Sequence, residues 1–305
     1  MESFSVHGQQ KSWFDRNGFP PFLVGIVWLV LAFVLFHGVG TLASILLIYY
    51  KEGGFSEQLM VNNPEILLIG NSIGQIIGLA ASTLIIAKLS ALKFEYRPFM
   101  RFELPKSNIG AIFGYSFLLI LVVQPAIWLV SWLNQQIPLP DTWIEMELIQ
   151  MELLESMLLS GIPLTVMITT IAVVPAICEE VLFRSYLLRL FEKSAGVISA
   201  IIITGIMFGA FHLRITQIIP LSVIGILLAW VTIKSGSILP AIFMHFIHNG
   251  ATVVAVHYYP ELIELESVDA LPPSWMIALS FVLTGFFLYL YQRLTSTQTE
   301  SLYVR

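Results

Sequence analysis

The sequence predicts an all-α, polytopic transmembrane helix bundle. Three observations carry this. Of 305 residues, 57% are hydrophobic and only 11% charged, against roughly 25% charged in soluble domains. The apolar residues gather into runs of about membrane length, and a span takes roughly 20 of them. The basic residues fall in alternate connections between those runs, the pattern of cytoplasmic loops.

The expected spans, in chain order, are Phe22–Tyr50, Glu65–Leu92, Ile109–Leu133, Ile162–Leu190, Ala195–Leu213, Ile218–Ile233, Ser237–Tyr258 and Ser274–Tyr291. The sixth is the shortest of these eight. Residues 1–20 and 295–305 read as cytoplasmic tails around a single transmembrane domain, 21–294, with 160–255 as its catalytic core. No cleavable signal peptide is apparent: the first run is too long and follows a polar, aromatic leader.

With the N-terminus inside, Lys11, Arg16, Lys88, Lys93, Arg97, Arg101, Lys106, Arg184, Arg189, Lys193, Lys234, Arg293 and Arg305 share one side. Only Lys51 and Arg214 lie on the other. An odd number of spans would spoil this alternation, so both termini are expected in the cytoplasm. In a bacterial host the membrane would be the inner one. Lys93–Lys106 interleaves basic residues with Phe94, Tyr96, Phe99, Met100 and Phe102. It reads as a segment along the inner headgroups or an ordinary cytoplasmic loop. Asp141–Met157 carries Asp141, Glu145, Glu147, Glu152 and Glu155 among apolar residues. It reads as an outer-surface amphipathic helix whose acids form a solvated face. The net charge of −5 and the absence of a basic stripe exclude a nucleic-acid partner. A single cysteine, Cys178, excludes an intramolecular disulfide framework.

The fourth span contains Val173-Val-Pro175-Ala-Ile-Cys178-Glu179-Glu180-Val-Leu-Phe-Arg184. Ionisable groups at bilayer depth are costly and are kept mainly for function. Glu180 and Arg184 stand four apart with the acid first, the favourable order for a helical pair. Glu179 points about 100° away and lacks that partner, which leaves it as a candidate general base. Bracing of the bundle by both glutamates is the structural alternative.

His212 lies near the end of the fifth span, and His245 and Asn249 share one face of the seventh. Counted from the turn near Ser194, Glu179 and His212 rise about 22–26 Å; His245 and Asn249 rise about 14 and 20 Å from the turn near Ser235. All four are therefore expected in one layer. Pro175 and Gly209 would kink or thin the helices there. His7, His37 and His257 lie in the tail or apart from polar partners and are assigned no role.

A carboxylate and a histidine can orient and deprotonate water, and a His/Asn pair can stabilise an oxyanion. This is equipment for peptide-bond hydrolysis. Glu179, His212 and His245 could also hold Zn²⁺ or another divalent metal, although Asn is an uncommon zinc ligand and no His-Glu-x-x-His string exists. Cys178 neighbours Glu179 in sequence and so faces elsewhere on a helix.

These residues resemble the CPBP family, which comprises CAAX prenyl endopeptidases and bacteriocin-processing or immunity proteins. Its Glu-Glu-x-x-x-Arg, Phe-x-x-x-His and His-x-x-x-Asn/Asp motifs read here Glu179-Glu180…Arg184, Phe208…His212 and His245…Asn249. The resemblance spans about residues 160–255. It implies an integral-membrane endopeptidase, with Glu179 activating water, His212 as its partner, and His245 and Asn249 stabilising the oxyanion. Glu180, Arg184 and Phe208 would support them. His248 stands outside the motif. The implied partners are the lipid bilayer and a membrane-associated peptide, either a prenylated CAAX-type substrate or a leader peptide. A non-catalytic immunity or scaffold protein of the same fold and a proton-coupled carrier are the alternatives; a carrier would show internal repeats, and none is seen.

Overall fold

The computed structural model describes residues 11–92, 95–106, 108–260 and 271–303. Among these every regular element is helical. The main helices are α1 (Pro21–Glu52), α2 (Pro64–Ser90), α3 (Ile109–Val122), α4 (Gln124–Gln135), α5 (Asp141–Leu159), α6 (Leu164–Ala195), α7 (Val197–Phe211), α8 (Ile218–Ser235), α9 (Leu239–Tyr258) and α10 (Ser274–Tyr303). His7, Lys93, Phe94 and Arg305 lie outside the described residues.

Among the described residues six helices are long and apolar enough to cross a membrane: α1, α2, α6, α8, α9 and α10. The multi-pass membrane class therefore stands, with two departures from eight uniform spans. The third predicted span is two helices, α3 and α4, bent by 41°. Pro125 has no N–H for the Leu121 carbonyl. The hydroxyl of Ser280, on α10, replaces the next ladder bond, donating to the Val122 carbonyl at 2.5 Å and accepting from the Ala126 N–H at 3.2 Å. A side chain inserted in the ladder is a recognised cause of a kink. The fifth predicted span, α7, has 15 residues, about 22 Å of helix against a hydrocarbon core of about 30 Å. The sixth, α8, is extended by a turn of 3₁₀ helix, Ile215–Gln217, and meets the length criterion.

Small residues let α7 and α8 pack backbone to backbone. A Cβ on Gly209 would run into Ser222 and the Ile218 carbonyl, and one on Gly225 would stand 2.8 Å from the Gly205 carbonyl. Gly209 thus thins α7 and does not kink it. In α6 the segment Val174–Glu180 lies between two wider π-helical turns, Ile168–Val173 and Val181–Leu187. Such turns collect at functional sites.

Charged groups gather at the two ends of the bundle. At one end Lys193 meets Asp15 at 2.6 Å, Arg101 meets Glu192 at 2.7 Å, and the Ile238 N–H donates to the Arg101 carbonyl. Arg101 and Met100, of the basic segment following α2, pack onto this end. Met100 is fully buried, and Ser185 Oγ donates to its carbonyl at 2.7 Å. At the opposite end Lys51 meets Glu65 at 2.9 Å, and Asn134 Nδ2 donates to the Ile215 carbonyl at 3.0 Å.

Candidate active site

Glu179 and Glu180 sit on the last turn of the Val174–Glu180 segment of α6, and both are buried. The predicted pair forms: Arg184 Nη1 donates to Glu180 Oε1 at 2.9 Å, with both side chains wholly buried. Arg184 Nη2 donates to the Gly225 carbonyl at 3.2 Å, and the guanidinium lies 4.3 Å from the Phe208 ring centre. The close approach of α7 and α8 brings that carbonyl and that ring together.

The spacing of Glu180 and Arg184 does not reveal a third member. His245 Nδ1 lies 3.0 Å from the same Glu180 Oε1. A carboxylate paired with a guanidinium accepts, so Nδ1–H donates and the Nε2 edge turns toward Glu179. His245 Nε2 is 4.0 Å from Glu179 Oε2.

His212 reaches the same atom from α7. Its Nδ1 lies 2.7 Å from the Phe208 carbonyl. A carbonyl only accepts, so Nδ1 carries the proton and neutral His212 presents the bare lone pair of Nε2. That Nε2 faces Glu179 Oε2 at 3.8 Å. Phe208 thus holds His212 through its carbonyl, and its ring packs edge-on to both His212 and His245. The Phe of Phe-x-x-x-His is a positioning element on each side.

Glu179, His212 and His245 are therefore brought together, and Asn249 is placed differently. Its Nδ2 donates to the Ile171 carbonyl at 3.1 Å. Pro175, four residues after Ile171, has no N–H to offer that carbonyl, and Asn249 takes its place. The signal was in the sequence as Pro175, but nothing there says which side chain answers it. Cys178 is buried within the apolar cluster around Phe183 and Phe208. His37 packs on Phe33 and Phe36, and His257 on Tyr258.

Glu179 Oε2 has no hydrogen-bond partner among the described residues. Its two histidine neighbours stand beyond hydrogen-bond reach, the spacing that a bridging water fills. Among the described residues no three His, Cys, Asp or Glu side chains are placed to hold a metal ion together.

No curated protein and no solved structure matches the chain. A family model does: residues 161–251 match the family described as Type II CAAX prenyl endopeptidase Rce1-like. The matched stretch contains Glu179, Glu180, Arg184, Phe208, His212, His245 and Asn249. Residues 161–251 are thus similar to the Rce1-like family of type II CAAX prenyl endopeptidases, and they carry the three motifs of the CPBP family.

Proposed function

We propose that the protein is an intramembrane endopeptidase that hydrolyses a peptide bond in a membrane-associated peptide, with water activated by Glu179 and His212. One observation carries the reading. Two acceptors, Glu179 Oε2 and bare His212 Nε2, face each other at 3.8 Å. A water reaching both at about 2.8 Å would give one O–H to each. Its lone pairs would then point away from them, toward a substrate carbonyl.

In the attack, the water oxygen bonds to the carbonyl carbon and its proton passes to Glu179. As the tetrahedral adduct collapses, the C–N bond breaks and that proton goes to the leaving amine. His245 serves the oxyanion. Its Nδ1–H is committed to Glu180, so Nε2 donates when the ring is an imidazolium. Asn249 has two amide N–H groups; one holds the Ile171 carbonyl and the other is left for the oxyanion. No step here runs through a metal. A prenylated CAAX-type peptide and a leader peptide both suit a site at this depth.

The test is Glu179→Gln, assayed on quenched-fluorescent prenylated and leader peptides in proteoliposomes. Loss of a general base removes about 10²–10⁴ in rate, so kcat should fall at least a hundredfold with the thermal midpoint unchanged. A variant that cleaves at the wild-type rate sinks the mechanism. Chelators should leave the wild-type rate intact. Protection of a host by a Glu179→Gln, His212→Ala double variant would instead favour the non-catalytic immunity reading.

A further inference from the structure

We propose that α5 is a strap that holds His212 in register with Glu179, and that Glu147 is the positioning residue through which it acts. The proposal rests on the protease reading for its kinetic consequence only.

Glu147 is turned the wrong way for an ordinary amphipathic helix. It is 8% exposed, whereas its apolar neighbours Met146 and Leu148 are 60% and 62% exposed. Burying an acid is unfavourable unless the carboxylate has a specific partner. That partner is Thr216. The Thr216 N–H donates to Glu147 Oε1 at 2.9 Å, and its hydroxyl donates to Oε2. Both oxygens are thus spent on one residue.

Thr216 lies four positions after His212, on the segment that carries the chain from α7 into α8. This segment begins with a costly conformation. Leu213 has φ +53°, a left-handed backbone that only surrounding structure can impose on a residue with a bulky side chain. The imposition is visible. Asn134 Nδ2 grips the Ile215 carbonyl, and its Oδ1 accepts from the Ile219 N–H at 3.1 Å. Arg214 Nη2 touches Met151 Sδ of α5 at 2.7 Å. Between α5 and the segment lies a cavity of about 210 Å³, lined by Glu147, Met151, Arg214, Thr216 and Gln217. Directed hydrogen bonds therefore fasten the strap at this point more than packing does.

The consequence falls on His212. It caps the C-terminus of α7, directly before the strained Leu213, and its side chain is 29% exposed, against 10% for Glu179 and 5% for His245. Its 3.8 Å approach to Glu179 depends on where the turn is held. The other two groups sit within long helices and need no such strap.

The experiment uses the full-length protein in detergent and proteoliposomes, with two readouts. One is kcat and KM on the cleaved peptide. The other is the rate of diethyl pyrocarbonate modification of His212, mapped by mass spectrometry, which needs no activity. Glu147→Ala should lower kcat at least tenfold with KM within twofold, and should speed His212 modification at least threefold. Glu147→Gln keeps an acceptor for the Thr216 N–H and offers its amide to the hydroxyl, so it should stay within threefold of wild type on both. If Glu147→Ala does not fold, Thr216→Val deletes one bond and carries the same test with a smaller effect. A wild-type kcat or a wild-type modification rate in a folded Glu147→Ala protein overturns the proposal. If even the wild-type protein cleaves nothing, the protease reading fails, and the modification rate alone decides whether α5 holds His212.

Discussion

Glu180 Oε1 receives both the Arg184 guanidinium and the His245 ring, while Glu179, one position earlier, receives no hydrogen bond at Oε2 from the described residues. The two acids should fail differently when removed. Glu180→Ala leaves Arg184 fully buried without its carboxylate. Breaking one side of such a pair costs about 3–5 kcal/mol, which thermal denaturation in detergent would register as a large loss of stability. Adding Arg184→Met should recover part of it, because an apolar replacement of both partners is tolerated. Activity should stay lost, since His245 has no acceptor for Nδ1–H. Recovery of activity with stability would show that Glu180 does not orient His245. The Glu180–Arg184 pair was legible because both residues share one helix and one face. The His245 contact was not: it joins residues 65 positions apart, and the mutual rotation of α6 and α9 is written in no single periodicity. Asn249 illustrates the same limit, since its amide answers a carbonyl freed by Pro175 on another helix.

The match between α7 and α8 shows why glycines decide where the site can be. Gly205, Gly209 and Gly225 let the two backbones touch, and that contact sets Phe208 over Arg184 and the Gly225 carbonyl beneath it. Gly209→Ala puts a methyl group against Ser222 and the Ile218 backbone. Overpacking of this kind costs about 1–3 kcal/mol, and here the relief available is to push α7 outward with His212 at its end. Denaturation should report the destabilisation, and kcat should fall by more than the folded fraction does. An unchanged kcat per folded molecule would mean that α7 absorbs the methyl group without moving His212. The sequence exposed Gly209 as a thin point but left open whether it bends or packs. The break after Val122 was also hidden, because Ser280, which bridges it, lies 158 positions away. In α5 the reading of acids as a solvated face failed at Glu147 alone, since only tertiary structure supplies Thr216 to bury it.

Across the whole molecule the helical, multi-pass membrane class was the most legible feature, and the number of crossings the least. The basic residues of alternate connections meet at one end: Arg101 and Arg189 at Glu192, Lys193 at Asp15. The opposite end holds Lys51, paired with Glu65, and Arg214 beside Met151. Although α7 is short, its two ends adjoin Lys193 on one side and Arg214 on the other. Basic loops are retained in the cytoplasm, so the Lys193 end should face inward, and the Arg214 end, where His212 is most exposed, should face outward. The single cysteine makes this testable. In a Cys178→Ala background, Tyr50→Cys introduces a thiol at a residue 91% exposed at the Lys51 end, and Lys106→Cys introduces one on the opposite, basic segment. A membrane-impermeant maleimide applied to intact cells should label the first and spare the second until the membrane is opened. The reverse pattern would invert the bundle and turn His212 toward the cytoplasm, where a prenylated C-terminus would be the accessible substrate. The expected pattern puts the exposed edge of the site on the outer side, where a peptide must first enter or cross the bilayer before Glu179 can act on it.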